Sequence, residues 1–262
     1  MPLINTITDG AVTLLELNNP PHNFFDIDLL TELADKLLAL DNNDNCRAIV
    51  LCSNGKNFCA GGNFGTGQVG SGYNTFTAEQ FATGIRQVYG QAARMFGNQK
   101  PIIAAVQGSA TGGGLGLALL ADFRVANAQS KFWANFTKLG IHTGFGATVT
   151  LPRVIGIQQA HKLLMTARRI DGTEAERIGL VDVLSDNDDI RPQAIALAQE
   201  IAANAPLAVE SIRAAVREGL QAQVTAAIEV EIAEQSRLRV TQDAEEGILS
   251  LAQKRPGVFV KR

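Results

Sequence analysis

The stretch from Lys100 to Ala126, KPIIAAVQGSATGGGLGLALLADFRVA, limits what this chain can fold into more sharply than any other. Ile102 to Val106 is a short apolar run behind a proline, the pattern of a buried strand, with its end at Gly108-Ser109. Gly112, Gly113, Gly114 and Gly116 then lead into Leu115, Leu117, Ala118, Leu119, Leu120 and Ala121, an apolar run long enough for a buried helix. The glycines are thus expected at a helix N-terminus. Backbone N–H groups of a first helical turn have no partner within the helix and lie at the positive end of its dipole, so an anionic oxygen is favoured there, and glycine lets it come close. Tight strand-to-helix packing is the other use of such a run. A dinucleotide-binding G-x-G-x-x-G from Gly112 would need glycine where Leu117 stands, and no G-x-x-x-x-G-K-[ST] occurs.

From the N-terminus, Leu3 to Thr8 and Ala11 to Leu17 flank Asp9-Gly10, a hairpin turn pair. Asn18-Asn19-Pro20-Pro21 breaks the strand, and Asp26 can cap a helix with Leu29, Leu30, Leu33, Leu37 and Leu38 on one face. Arg47 to Cys52 reads as the next buried strand. Phe58-Cys59-Ala60-Gly61-Gly62-Asn63 follows a turn and opens a glycine-rich segment reaching Tyr73, expected to be a lid or surface loop. Thr77 to Gln80 fits a capping box, and Phe81, Ile85, Val88, Ala92 and Phe96 continue a helical stripe up to the central strand. Beyond it come strands at Phe123 to Ala126 and near Phe132, helical patterns from Ile157 and Thr173, and a strand at Leu180 to Leu184. This alternation predicts an α/β core over 1–190. Residues 191–262 read as a C-terminal helical region, packed on its own core or on a neighbouring subunit.

A chain of 262 residues, 46% hydrophobic and 19% charged, can bury a sizeable core. Its net charge of -3 gives no electrostatic reason to expect nucleic acid or an anionic membrane. Small molecules and copies of itself are the expected partners. The first ten residues lack the basic segment and apolar core of a secretory signal, and no apolar run approaches transmembrane length, so a cytoplasmic location is expected. Cys46, Cys52 and Cys59 lack CxxC spacing, and His22, His142 and His161 lie far apart, which predicts buried free thiols and no metal site.

FCAGGN at 58–63, SATGGGLGLALLADFRVA at 109–126 and LGIHTGFGATVTLPRVIG at 139–156 resemble, in order and spacing, the enoyl-CoA hydratase/isomerase (crotonase) superfamily, and the likeness continues to EEGILSLAQKRP at 245–256. The resemblance implies a crotonase-like spiral of repeated β-β-α units with a C-terminal helical trimerisation region. It implies a homotrimer, or a hexamer made of paired trimers. It also implies an acyl-CoA substrate, with coenzyme A entering as part of that substrate and no permanently bound cofactor. By motif match the thioester carbonyl would lie between the N–H groups of Ala60 and Gly113. Donors aimed at the oxygen of a thioester enolate can contribute on the order of 3 to 4 kcal/mol each. His22, Asn23, Phe24, Gly61, Gly112, Gly116 and Phe136 would contact the substrate, and Lys254 or Arg255 would reach the coenzyme phosphates.

The same match exposes departures. Hydratases of the family place catalytic glutamates where this chain has Gly116 and Phe136, certain relatives place an aspartate where it has Gly144, and Asn63 replaces a frequent aspartate. Hydration needs one group to activate water and another to protonate the α-carbon, and neither Gly116 nor Phe136 can do this. Ordinary hydratase activity is therefore not expected. The expected function is an acyl-CoA lyase or isomerase that stabilises an enolate and draws its acid or base from elsewhere. His142 is the first candidate against a merely backbone-bonded histidine, Tyr73 the second, and a bound anion such as bicarbonate the third. A non-catalytic acyl-CoA-binding member is the alternative.

Overall fold

The computed structural model describes residues 2–62, 78–186 and 189–262. The segment with Asn63 and Tyr73, and the Thr77 cap, lie outside them.

Strands β1 (Ile4–Asp9) and β2 (Val12–Leu17) form the expected hairpin, with Gly10 at φ +59° in its turn. Helix α1 (Ile27–Asp41) starts at Asp26, whose side chain accepts the Leu29 N–H at 2.9 Å and so satisfies one donor of the first turn. β3 (Ala48–Ser53), α2 (Ala78–Met95) and β4 (Ile102–Val106) follow, and then β5 (Ser109–Thr111), a short strand where the sequence pattern marks only the end of β4 at Gly108-Ser109. The glycines then open α3 (Gly113–Ala118), which is six residues long and not the full apolar run. The chain must leave that helix early, because the Asp122 carboxylate accepts the Ile102 N–H at 2.8 Å and its own N–H donates to the Ile102 carbonyl at 2.8 Å. This double tie sets β6 (Phe123–Asn127) beside β4.

β7 (Lys131–Trp133), α4 (Ala147–Ile155), α5 (Ile157–Thr166), β8 (Ile170–Asp171), α6 (Gly172–Arg177) and β9 (Val183–Ser185) complete the strand-bearing part. A six-stranded sheet has the order β1-β2-β3-β4-β6-β9, all parallel after the first hairpin, and a three-stranded sheet has the order β5-β7-β8. The long sheet is covered on both faces, so β3 and β4 at its centre are buried at every position and the two-residue period sorts them. Ile49, Leu51, Ile102, Ala104 and Val106 face the larger core. Ala48, Val50, Ile103 and Ala105 face α7 (Ile190–Ala202), whose buried Ala194, Ala198 and Ala202 let the helix lie close.

α8 (Pro206–Val216), α9 (Leu220–Arg239) and α10 (Gln242–Ala252) close the chain, and α9 packs along α2 of the same chain. Cys46, Cys52 and Cys59 are free and buried, and burial pushes the thiols of Cys52 and Cys59 up to about 12.

Candidate active site

Cys59 lies beside β5 as a parallel neighbour of Ala110, taking the Thr111 N–H on its carbonyl at 3.0 Å and giving its own N–H to Ser109 at 3.1 Å. This lays Ala60-Gly61-Gly62 against the start of α3. The approach is close enough to exclude side chains. Gly61 sits at φ +83°, and a Cβ there would lie 2.7 Å from the Thr111 carbonyl oxygen and 3.4 Å from the Gly113 nitrogen. A Cβ at Gly114 would lie 2.1 Å from the Cys59 carbonyl oxygen.

Both segments open on a cavity of about 440 Å3, lined on its backbone side by Ala60, Gly61, Gly62, Thr111, Gly112 and Gly113. Phe25, Phe81, Tyr89 and Phe136 supply an aromatic lining, and Asp26, Gln80, Thr83, Gln87, Asn135 and Gln235 supply polar groups. Several backbone N–H groups here are committed. That of Ala60 donates to the His22 carbonyl at 3.0 Å, that of Gly61 points at the Cys59 Sγ at 3.5 Å, and that of Gly112 donates to Trp133 at 2.8 Å. Among the described residues, the N–H groups of Gly62 and Gly113 have no acceptor. The Ala60 N–H, expected as an oxyanion donor, is instead spent on the His22 carbonyl and fixes the 22–25 loop, whereas two residues on the Gly62 N–H has no acceptor among the described residues.

Gly116, expected at the substrate, lies behind the cavity wall. A Cβ there would lie 2.6 Å from the Cβ of Phe145, whose ring fills the space. Phe145 packs against Phe25 at 5.6 Å and Tyr89 at 6.0 Å between ring centroids. His142 does not line the cavity. Its Nδ1 donates to the Thr143 carbonyl at 2.8 Å, the backbone-bonded arrangement, and its own carbonyl accepts from Gln235 Nε2 at 2.9 Å. Asn23 is fully buried and acts as a brace, its Nδ2 donating to the carbonyls of Asn54 at 2.6 Å and Asn57 at 2.8 Å. His22 and Phe24 stay half-buried on the same loop, His22 Nδ1 lying 2.6 Å from Asn57 Nδ2. Lys254 is exposed at the end of α10, outside the cavity, while the Arg255 guanidinium is taken by Glu246 at 2.5 and 2.8 Å.

Sequence reasoning missed Tyr89, Gln235 and Phe145. Tyr89 follows Val88 in the α2 stripe, and Gln235 comes from α9. Nothing local marks either as meeting the glycine segments. The buried Glu231, one turn before Gln235, supports the site from outside: its carboxylate accepts the Gly146 N–H at 2.8 Å and the Thr148 hydroxyl at 2.7 Å, tying α9 to the start of α4. Burial pushes its pKa up. Among the described residues, no group of three His, Cys, Asp or Glu could hold a metal ion, and no helix is long and apolar enough to cross a membrane.

Comparison with known proteins places this geometry. The model of the enoyl-CoA hydratase/isomerase family matches residues 8–262. A crotonyl-CoA hydratase of Syntrophomonas wolfei is 33% identical over 256 residues, covering 97% of this chain and 96% of the relative. A short-chain-enoyl-CoA hydratase of Clostridium acetobutylicum is 30% identical over 259 residues, covering 97% of each. The crystal structure of an enoyl-CoA hydratase/isomerase from Mycobacterium paratuberculosis superposes with a TM-score of 0.83 at 28% identity, covering 95% of this chain and 99% of that one. The glycine-lined cavity, the spiral of strands and helices around it and these likenesses across nearly the whole length agree: the chain belongs to the enoyl-CoA hydratase/isomerase family of crotonase-fold proteins.

Proposed function

We propose that this protein transforms an acyl-CoA thioester through an enolate whose oxygen is held between the N–H groups of Gly62 and Gly113. The observation that carries this reading is that these two donors, on segments packed within side-chain-excluding distance, have no protein acceptor among the described residues and border one apolar cavity. Donors fixed by strand and helix contacts need no reorganisation when charge develops on the oxygen, which is how such sites favour a transition state over its substrate. Crotonyl-CoA hydration by two carboxylates is disfavoured, since residue 136 is phenylalanine and residue 116 is a glycine sealed behind Phe145. The acid or base is a group other than those two, and His142 is set aside because it does not line the cavity and its Nδ1 is taken by the Thr143 carbonyl.

A panel of CoA esters assayed for turnover tests the reading, with conversion of at least one expected. Binding of the esters without conversion of any would favour the second reading, a non-catalytic acyl-CoA-binding member, which the absence of both glutamates supports. Lys254 supplies a cation for the coenzyme phosphates, so Lys254→Ala raises KM with little change in kcat. Leu207, Ile212 and Val216 are 81%, 65% and 66% exposed on α8, more apolar surface than a single helix face normally leaves in water. A homotrimer, or a pair of trimers, would cover such surface, and light scattering at micromolar concentration is expected to show it; a monomer would refute it.

A further inference from the structure

We propose that Tyr89 is a catalytic residue of this cavity, its phenolic hydroxyl delivering the proton that turns a bound thioester enolate into the neutral thioester, with Gln235 as the residue that positions it. The inference rests on the enolate reading above. Two titratable side chains stand on the cavity wall among the described residues, Asp26 and Tyr89. Asp26 holds the start of α1 through the Leu29 N–H. Tyr89 is 6% exposed and is seated by its surroundings. The ring stands edge-on to Phe145, which occupies the space left by Gly116. The hydroxyl occupies the space left by Gly144, where a Cβ would lie 2.1 Å from the phenolic oxygen.

Gln235 Nε2 donates to that oxygen at 3.2 Å and to the His142 carbonyl at 2.9 Å. The second bond identifies the carboxamide nitrogen, and Gln235 Oε1 also lies within reach of the phenol, accepting from the Tyr89 hydroxyl at 3.5 Å. A donor aimed at a phenolic oxygen favours the phenolate over the phenol, which is what a proton donor needs once its proton has left. In the step itself the Tyr89 O–H bond breaks as a C–H bond forms at the nucleophilic carbon of the enolate. The enolate electron pair becomes that C–H bond, the thioester C=O is restored and leaves the Gly62 and Gly113 donors, and the negative charge passes to the Tyr89 oxygen. A proton from water then returns the phenol to its starting form.

Acetoacetyl-CoA is a suitable probe, because its enolate is seen by ultraviolet absorbance and its α-hydrogens exchange in D2O, read by proton NMR. The unmodified protein is expected to bind it as the enolate and to accelerate exchange. Tyr89→Phe keeps the ring packing, so binding and enolate absorbance are expected to stay within about twofold while exchange falls about 10²-fold. Gln235→Met keeps the phenol and removes its donor, and is expected to slow exchange about tenfold with binding retained. Equal exchange in Tyr89→Phe, or binding with no accelerated exchange in the unmodified protein, overturns the role of Tyr89. Failure of the unmodified protein to bind the probe at all instead removes the enolate reading on which that role rests. Should Tyr89→Phe not fold, Gln235→Met decides alone, and unchanged exchange there overturns the proposal.

Discussion

One wall of the cavity is backbone, from Ala60 to Gly62 and Thr111 to Gly113, and the other is side chain, from Phe25, Phe81, Tyr89 and Phe136. The backbone wall is held by main-chain hydrogen bonds among residues 22–25, 58–62, β5 and Trp133, so it admits almost no change of side chain. The aromatic wall is held by packing of rings from α2, the loop before α1 and the 136–145 segment, so it can change its chemistry without moving the donors. A family that keeps one and varies the other can hold the same oxygen while altering what happens at the carbons.

Substitutions can break this contrast, and the largest effect is expected in the backbone wall. In Gly114→Ala the new methyl meets the Cys59 carbonyl oxygen at 2.1 Å and its carbon at 2.7 Å, backbone atoms that cannot rotate away. A loss of about 3 kcal/mol is expected by denaturant titration. Gly113→Ala meets the end of the Phe25 ring at 2.5 Å and should cost about 1 to 2 kcal/mol, because a ring can shift. Equal costs would deny that the Cys59 backbone is more rigid than the Phe25 ring.

A smaller effect is expected from restoring carboxylates. Gly116→Glu with Phe136→Glu is expected to gain no crotonyl-CoA hydration while Phe145 fills the space beside residue 116, and to lose about 2 kcal/mol from overpacking. Adding Phe145→Ala makes room, and hydration should then rise, with two neighbouring carboxyls tending to keep one protonated as the acid and one ionised as the base. Loss of the enoyl-thioester absorbance measures it. Hydration by the unmodified protein at the rate of carboxylate-bearing relatives would show that the aromatic wall does not divert the chemistry.

The smallest effect lies away from both walls. The Arg255 guanidinium and then the Val258 N–H hold the Glu246 carboxyl down at about 2. A depressed folded-state value means that its stabilisation is present above the ordinary value of 4.5 and is lost as pH falls toward about 2. Protection of the Val258 amide from exchange should therefore fall across that window. In Glu246→Gln it should be low throughout, with turnover nearly unchanged.

The contrast between the walls also explains what could be read without coordinates. Glycine at 61, 112, 113 and 114 is demanded by close approach or positive φ, a local signal, so both glycine segments and the helix start at the second were legible, whereas their meeting followed only from the family resemblance. The position of the first donor was not legible. The motif match names Ala60, and only the His22 carbonyl 3.0 Å from the Ala60 N–H points to Gly62 instead. Tyr89 and Gln235 were illegible for another reason: they are 146 residues apart and meet only because α9 packs along α2. β5 was missed because a three-residue strand that pairs with β7 carries too short a pattern to stand apart from the strand before it.

The central claim is that Gly62 and Gly113 polarise a thioester carbonyl. Its most direct test is the infrared stretching frequency of butyryl-CoA carrying 13C at the thioester carbonyl, measured free and bound, in the unmodified protein and in Gly113→Pro. Proline is tolerated at the first position of a helix, which residue 113 occupies, and it removes one donor. A lower frequency is expected on binding to the unmodified protein, and a clear return toward the free value in the folded proline variant. A bound carbonyl that absorbs at the free frequency, or one shifted equally in both proteins, would contradict the claim.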